Sequence, residues 1–443
     1  MRRNFILINC NIRNPKSNCG LIKDAVIMVN NHEGTSKIGY IGSRDSIPIP
    51  NDYNIVDLKG NYVFPGLINA HCHLFGSGKP IKSISNEFSK NLLVKFLNFP
   101  LTKVMLLKIM KSNVVTELSS GVTTIRALGD FHNLDIKIRN DIANRKMIGP
   151  QLVTASKGIT IINGHASEYA LSYKSLGEAK DCVKQCITNG VDVIKIFSTG
   201  GVLETGEYEE IGQVKMRFEE VKAICEEAHA AGLMVASHVV CKKGIKEALL
   251  AGVDTIEHGA EMDDEIVELF KNNPRTLRGY SSLVPTIYPA VVLSELSTDY
   301  TKISERQREK ARNVLQRIIK GFRRAIEEGI KVGLGNDASV PFVTHYDLWH
   351  EIDVRIKLAG ISAIEALYQA TYANAEILGI ETCTGSIDLG KRADFLVLDG
   401  DPVQDISNLS KPQMVIIDGH IISDPKVKRY TDIDRIVSSM TLN

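Results

Sequence analysis

The sequence has no surplus of either charge: 53 Lys and Arg stand against 52 Asp and Glu, a formal net charge of +1. No long basic block breaks that balance, so no stretch can neutralise a run of phosphates, and nucleic acid is not an expected partner. Long hydrophobic runs are missing near the start as well. Phe5 to Ile8 are four consecutive apolar residues, too few for a signal-peptide core or a membrane span. That segment reads as a first strand, and the expected setting is the cytoplasm without a membrane partner. The eight cysteines, at 10, 19, 72, 182, 186, 225, 241 and 383, include no Cys-x-x-Cys pair and no compact disulfide spacing, so reduced, mostly structural thiols are expected. Cys182 and Cys186, one helical turn apart, read as packing.

What is present suits a large soluble core. Apolar residues make up 44% of 443 and charged residues 24%, the mix of a globular chain, and the length accommodates a large barrel plus a smaller second unit. From about residue 5 to 64 the pattern is short strands and turns: Phe5 to Ile8, Ala25 to Val29, Ile38 to Ile41 and Asn54 to Leu58, broken by Gly, Pro, Asn and Ser. Gly385 to Asp399 and Met414 to Ile422 have the same character. The expected organisation is a small composite β-sandwich domain built from residues 1–64 and 384–443, flanking a different middle.

Between residues 65 and 383 short apolar strands alternate with longer helical stretches, the signature of a parallel sheet. Candidate strands are Leu67 to His73, Val122 to Leu128, Leu152 to Gly158, Val191 to Thr199, Met234 to Val240, Thr255 to Gly259, Leu283 to Ile287 and Val332 to Asp337. A helix is expected over Glu219 to Ala231, stopped by Gly232. Eight such strands point to an α/β chain with a (β/α)8 TIM-type barrel.

Polar residues of chemical interest cluster at the C-terminal ends of these strands, where barrel enzymes hold their active sites. His71 and His73 sit two apart on a strand, so both imidazoles project to one side and are able to grip one metal. By itself His-x-His is a weak signal. His238 ends the fifth candidate strand and His258 the sixth; each alone reads equally well as a core or loop histidine. Asp337 ends the eighth, where a turn or helix cap is the simpler reading. Four histidines and an aspartate at the same end of four strands make a metal site the better account. Lys195 is an amine inside a mostly apolar strand, so it must be paired, neutral or chemically changed. A neutral lysine reacts with carbon dioxide to give a carbamate, an anionic ligand able to bridge two cations.

With these residues in place, the chain resembles the amidohydrolase superfamily, in its branch of metal-dependent dipeptidases and N-acyl-amino-acid hydrolases of prolidase-like and imidazolonepropionase-like type. Val63 to His73 looks like the first-strand signature of that family, Ser120 to Arg126 the second-strand segment, Val191 to Gly201 the fourth-strand lysine motif, and Gly252 to Gly259 the sixth-strand histidine motif. Gly385 to Pro402 resembles the closing β segment. The resemblance implies that His71, His73 and Asp337 hold one divalent metal, that His238 and His258 hold a second, and that carbamylated Lys195 and a hydroxide bridge them. Zinc suits such ligands. It also implies that Asp337 is the general base and that His165, in the segment Ile162 to Ala166, contacts the substrate; a plain loop histidine is the competing reading. Three positions depart from the family pattern: Asn69 and Ala127 stand where it has aspartates, and Asn163 where it has the first of two glycines.

The expected activity is hydrolysis of an amide bond in a small peptide or N-acyl amino acid. The nearest rival is a deaminase, or a hydrolase of cyclic amides, from the same superfamily. Deaminases of this kind use one metal and a glutamate three residues after the fifth-strand histidine, where this chain has Cys241. A relative that has lost catalysis and serves as a scaffold would lack ligands, and none of the six is missing. The exact substrate and any assembly into a homo-oligomer stay open, because specificity lies in the loops.

Overall fold

The computed structural model describes residues 4–18, 20–32, 34–44, 50–80, 99–202 and 212–440. Cys19 and the first three residues lie outside them. Both chain ends enter one eight-stranded mixed sheet, made of Phe5–Arg13, Leu21–His32, Thr35–Ser43, Asn54–Asp57, Tyr62–Pro65, Phe395–Leu398, Met414–Ile417 and His420–Ser423. Period-two alternation explains its two faces. Phe5 and Leu7 join Ile27, Phe395 and Ile416 in one apolar cluster, while Ile6 and Ile8 join Val26 and Met28 in another. Tyr62–Pro65 is the joint of the molecule. It pairs in parallel with Phe5–Arg13 and antiparallel with Phe395–Leu398, then leads directly into Leu67–Cys72. The sequence suggests a two-layer sandwich; hydrogen bonding links all eight strands in a single sheet.

The middle of the chain contains two parallel sheets. One has three strands, Leu67–Cys72, Val122–Ala127 and Gln151–Thr154. The other has six, in the order Leu171–Tyr173, Ile159–Ile161, Val193–Phe197, Met234–Val239, Thr255–His258 and Ser282–Val284. The strands at 159 and 171 were not foreseen in the sequence. The described strands do not form one closed hydrogen-bonded ring, which differs from the expected eightfold barrel. Where an eighth strand was expected, from Val332 to Asp337, only isolated bridges form, Val332 to Leu283 and Ala338 to Cys72. The backbone here follows the site instead of the ladder: Asp337 adopts a left-handed φ of 53°, a costly conformation for a residue with a Cβ.

Single bonds span this seam. Gly333 N donates to Leu283 O at 2.8 Å, Ala70 N to Leu334 O at 3.0 Å, and Asp337 N to His71 O at 2.9 Å. Asn374 stitches the same place, its Nδ2 donating to Ile68 O at 2.7 Å and Leu334 O at 2.8 Å while its Oδ1 accepts from Leu334 N at 2.8 Å. At the other seam Asp192 N donates to Thr154 O at 2.8 Å.

Helices pack outside the strands. Phe218–Ala230 occupies the stretch expected to be helical, and Gly232 follows with φ 74°. Alternation sorts the side chains of Val193–Phe197: Ile194 and Ile196 join the helix-facing apolar core, while Val193 packs with Ala236, Leu128 and Ala155, and Lys195 and Phe197 face a cavity at the C-terminal ends of the strands.

Candidate metal centre

His71 and His73 leave the end of their strand with ring centroids 5.7 Å apart. Their Nε2 atoms lie 3.4 and 3.2 Å from Asp337 Oδ1, and one donor atom from each of these three residues falls within 4.8 Å of the others. The second ring nitrogen of each histidine is anchored. His71 Nδ1 lies 2.7 Å from Glu257 Oε2 and His73 Nδ1 2.8 Å from Gly129 O. A carboxylate and a carbonyl only accept, so both Nδ1 atoms carry the proton and both Nε2 lone pairs face the cavity. His258 is anchored as well, with Nδ1 2.7 Å from Thr286 Oγ1, a hydroxyl able to donate or to accept. Its φ is 68°, the second left-handed residue of the site. The His258 ring centroid is 4.9 Å from that of His71 and 4.4 Å from that of His238.

Burial holds His71 and His238 well below the usual imidazole range and pushes His258 down to about 4. These rings are therefore neutral at neutral pH, the form that donates a lone pair to a cation. Burial pushes the Asp337 carboxyl up, but His71 and His73 more than offset it, and the group stays ionised. His71 Nε2, His238 Nε2 and Asp337 Oδ1 are buried and have no hydrogen-bond partner. Buried polar atoms almost always have one. Three ligand-type atoms left open around one cavity are the arrangement a divalent cation would complete, so the residues present fit such a group.

Lys195 is 1% exposed. Burial lowers its amine to about 8, with Glu257 and Asp337 pulling the other way. Its Nζ lies 5.2 Å from the Phe197 ring centroid. The parallel register sets Lys195 beside Ala236 and Phe197 beside His238, which brings the lysine among the histidines. His165 stacks on His238 with ring centroids 4.5 Å apart. Gly201 lets it do so, since a Cβ there would lie 2.5 Å from the His165 ring. Gly335 has the same role beneath His71, where a Cβ would meet the His71 backbone nitrogen at 2.5 Å. All the residues singled out in the sequence, His71, His73, His165, Lys195, His238, His258 and Asp337, line this one cavity.

Sequence reasoning missed the pair that positions His71. Glu257 accepts from Arg126 Nη2 at 2.8 Å and from Thr255 Oγ1 at 2.6 Å, with both charged side chains fully buried. A signal was present: Glu257 and Arg126 are charges inside apolar strands, the feature that drew attention to Lys195. Other expectations find structural roles. Cys241 accepts from Gly244 N at 3.2 Å and caps helix Lys242–Ala251. Asn69 donates to Asn336 Oδ1 at 2.8 Å and to Glu117 at 3.3 Å. A second group, Cys72, Glu117 and His345, has metal-ligand spacing, but both His345 nitrogens are engaged, by Glu117 at 3.1 Å and Gly76 O at 2.9 Å. The described cysteines are all free.

The cavity encloses about 320 Å³. Phe75, Tyr169 and Phe197 form an aromatic wall near His73 and Lys195, and aliphatic residues from two helices form another part of the lining. No helix among the described residues is long and apolar enough to cross a membrane. A candidate prolidase from Bifidobacterium longum superposes with a TM-score of 0.86, 35% identity and 99% of each chain covered. A Xaa-Pro dipeptidase with methionine bound in its active site gives a TM-score of 0.80 and 29% identity, covering 95% of this chain and 100% of the other. Ochratoxinase of Aspergillus niger is 25% identical over 325 residues, 67% of this chain, and the match spans 64% of that relative's length. Residues 62–422, from the joint strand to the far side of the sheet, match the Amidohydrolase family, and the chain belongs to that family.

Proposed function

We propose that this chain is a metal-dependent hydrolase that cleaves an amide bond of the dipeptide or N-acyl-amino-acid type. The observation that carries this reading is the set of buried, unpartnered ligand atoms, His71 Nε2, His238 Nε2 and Asp337 Oδ1, around a single cavity. In the proposed assignment His71, His73 and Asp337 would hold one cation, His238 and His258 would hold a second, and Lys195, as a carbamate, would supply an anionic ligand. The amine of Lys195 would form a bond to the carbon of carbon dioxide and release a proton to solvent; its burial keeps a sizeable neutral fraction available for that step. Two zinc ions, when bound, would supply Lewis acidity toward the amide carbonyl and lower the pKa of water.

The chain's own groups do the rest. Asp337 would accept a proton from the attacking water and return it to the amine nitrogen as the carbon–nitrogen bond breaks. His165, stacked on His238 at the cavity wall, would hold the substrate. The Glu257–Arg126 pair fixes the His71 ring, so that little reorganisation is needed when a cation arrives. We further propose that the two parallel sheets close into an eightfold barrel through the single bonds at their seams, and that residues 1–64 and 384–443 make a separate β unit around it. The free thiols suit a cytoplasmic setting.

The deaminase reading is the weaker one. The position three residues after the fifth-strand histidine, which deaminases fill with a glutamate, is here the helix cap Cys241, and a buried lysine inside the ligand cluster favours two cations. Screening dipeptides, N-acyl amino acids and amino-substituted heterocycles against zinc-loaded protein tests the choice. Release of an amine and a carboxylic acid supports amide hydrolysis, and release of ammonia from the heterocycles overturns it.

A further inference from the structure

The aliphatic wall of the cavity belongs to two helices that contribute no metal ligand. Ile287–Glu295 starts just beyond strand Ser282–Val284, and its first backbone amides, Ile287 N and Tyr288 N, donate to the buried Glu351 carboxylate at 3.1 and 2.7 Å. Glu305–Glu327 packs along it, opened by a capping box from Ser304 and Gln307. Together they present Pro289, Leu293, Val314 and Ile318 to the cavity, with Val340 alongside. The nearby hydroxyls are already used: Thr286 is bonded to His258, and Ser339 donates to His73 O at 2.6 Å. Among the described residues that line the cavity, the charged ones are Lys195 and Asp337, both within the ligand cluster. Lys310, a turn before Val314 on the same helix, is not among the lining residues.

We propose that this wall determines specificity: it takes an uncharged aliphatic group of the substrate, so that amides carrying an acyl chain or similar apolar group there are turned over in preference to free dipeptides with an ionised terminus in the same place. This rests on the amide-hydrolase reading above. The physical reason is asymmetric. An alkyl group gains from leaving water in such a pocket, whereas a carboxylate or ammonium placed against Leu293, Val314 and Ile318 loses its hydration and finds no charged partner on that wall among the described lining residues.

The test uses three acids of equal chain length, hexanoate, 6-aminohexanoate and adipate, titrated by calorimetry into zinc-loaded protein, together with turnover of N-hexanoyl, N-(6-aminohexanoyl) and N-adipoyl amides of one common amine. The expected result is that hexanoate binds at least ~10²-fold tighter than the other two, with kcat/KM in the same order. In Ile318→Lys, metal content stays at the wild-type level while the order inverts toward adipate. Equal binding of the three acids overturns the proposal, as does adipate binding that depends on Lys310 and is lost in Lys310→Met. Selective binding of hexanoate without turnover of any amide leaves the pocket assignment standing and removes the hydrolase reading, so the two fail separately.

Discussion

At the scale of single residues, the proposed chemistry rests on Asp337 and Lys195, and their roles separate experimentally. Asparagine keeps the shape of Asp337 and offers a carbonyl oxygen, but it neither accepts nor returns a proton at neutral pH. Asp337→Asn should lower kcat by at least ~10² and retain more metal than His238→Ala, as read by steady-state kinetics beside elemental analysis. Full turnover in a metallated Asp337→Asn protein would leave the residue as a ligand only. Lys195→Ala should lose most of the metal along with activity, because the proposed carbamate ligand is then missing. Acetate or propionate added in solution should restore part of both. A Lys195→Ala protein that kept two metals and full turnover would make the lysine structural. Most of this site was legible in the sequence, since chemistry demands particular residue types at strand ends. His71 and His73 announce themselves by spacing, and Lys195 by being a cation in an apolar strand. Glu257 and Arg126 carried the same signal, but their reward is a ring orientation, visible only once His71 Nδ1 is seen 2.7 Å from Glu257.

At the scale of elements, the order of strands and helices followed from alternation and punctuation, and the misreadings lie where the site dictates the backbone. The segment from Val332 to Asp337 is apolar enough to read as a strand. Its ladder fails because Gly335 must pass close to His71 and Asp337 must turn left-handed to aim its carboxylate. The short strands Ile159–Ile161 and Leu171–Tyr173 were missed because three residues carry too little pattern. Asn374 replaces the absent ladder at this seam with three side-chain hydrogen bonds. Asn374→Ala removes the partner of the buried Leu334 amide and one donor each from the carbonyls of Ile68 and Leu334, the latter keeping Ala70 N, and should destabilise the protein by about 3 kcal/mol in chemical denaturation. A loss within experimental error would show that the seam is held by other contacts.

At the scale of the whole molecule, the two chain ends meet in one sheet, clasped where Arg13 Nε lies 3.2 and 3.1 Å from the two Asp401 oxygens. The neutral, buried histidines make the metal-free fold sensitive to acid. His258 titrates near 4 when folded, against an ordinary value of 6.5, and His71 and His238 shift the same way. Between those values the unfolded chain binds a proton that the folded chain does not, so stability is fullest above about pH 6.5 and falls as the pH drops toward 4. By pH 5 the loss from His258 alone is about 2 kcal/mol, and thermal melts of chelated protein at pH 7.5 and pH 5 should show it as a lower Tm. An unchanged Tm would mean that the rings titrate in the fold as they do in the unfolded chain, without the downward shift that burial gives them.

The central claim is that one cavity of this chain holds two divalent cations. Elemental analysis of protein reconstituted with zinc and bicarbonate, then freed of excess metal, measures that directly. The account predicts close to two zinc ions per chain for the wild type and a sharp loss in Lys195→Ala. A wild-type stoichiometry that stays near one would contradict it and point to a mononuclear site.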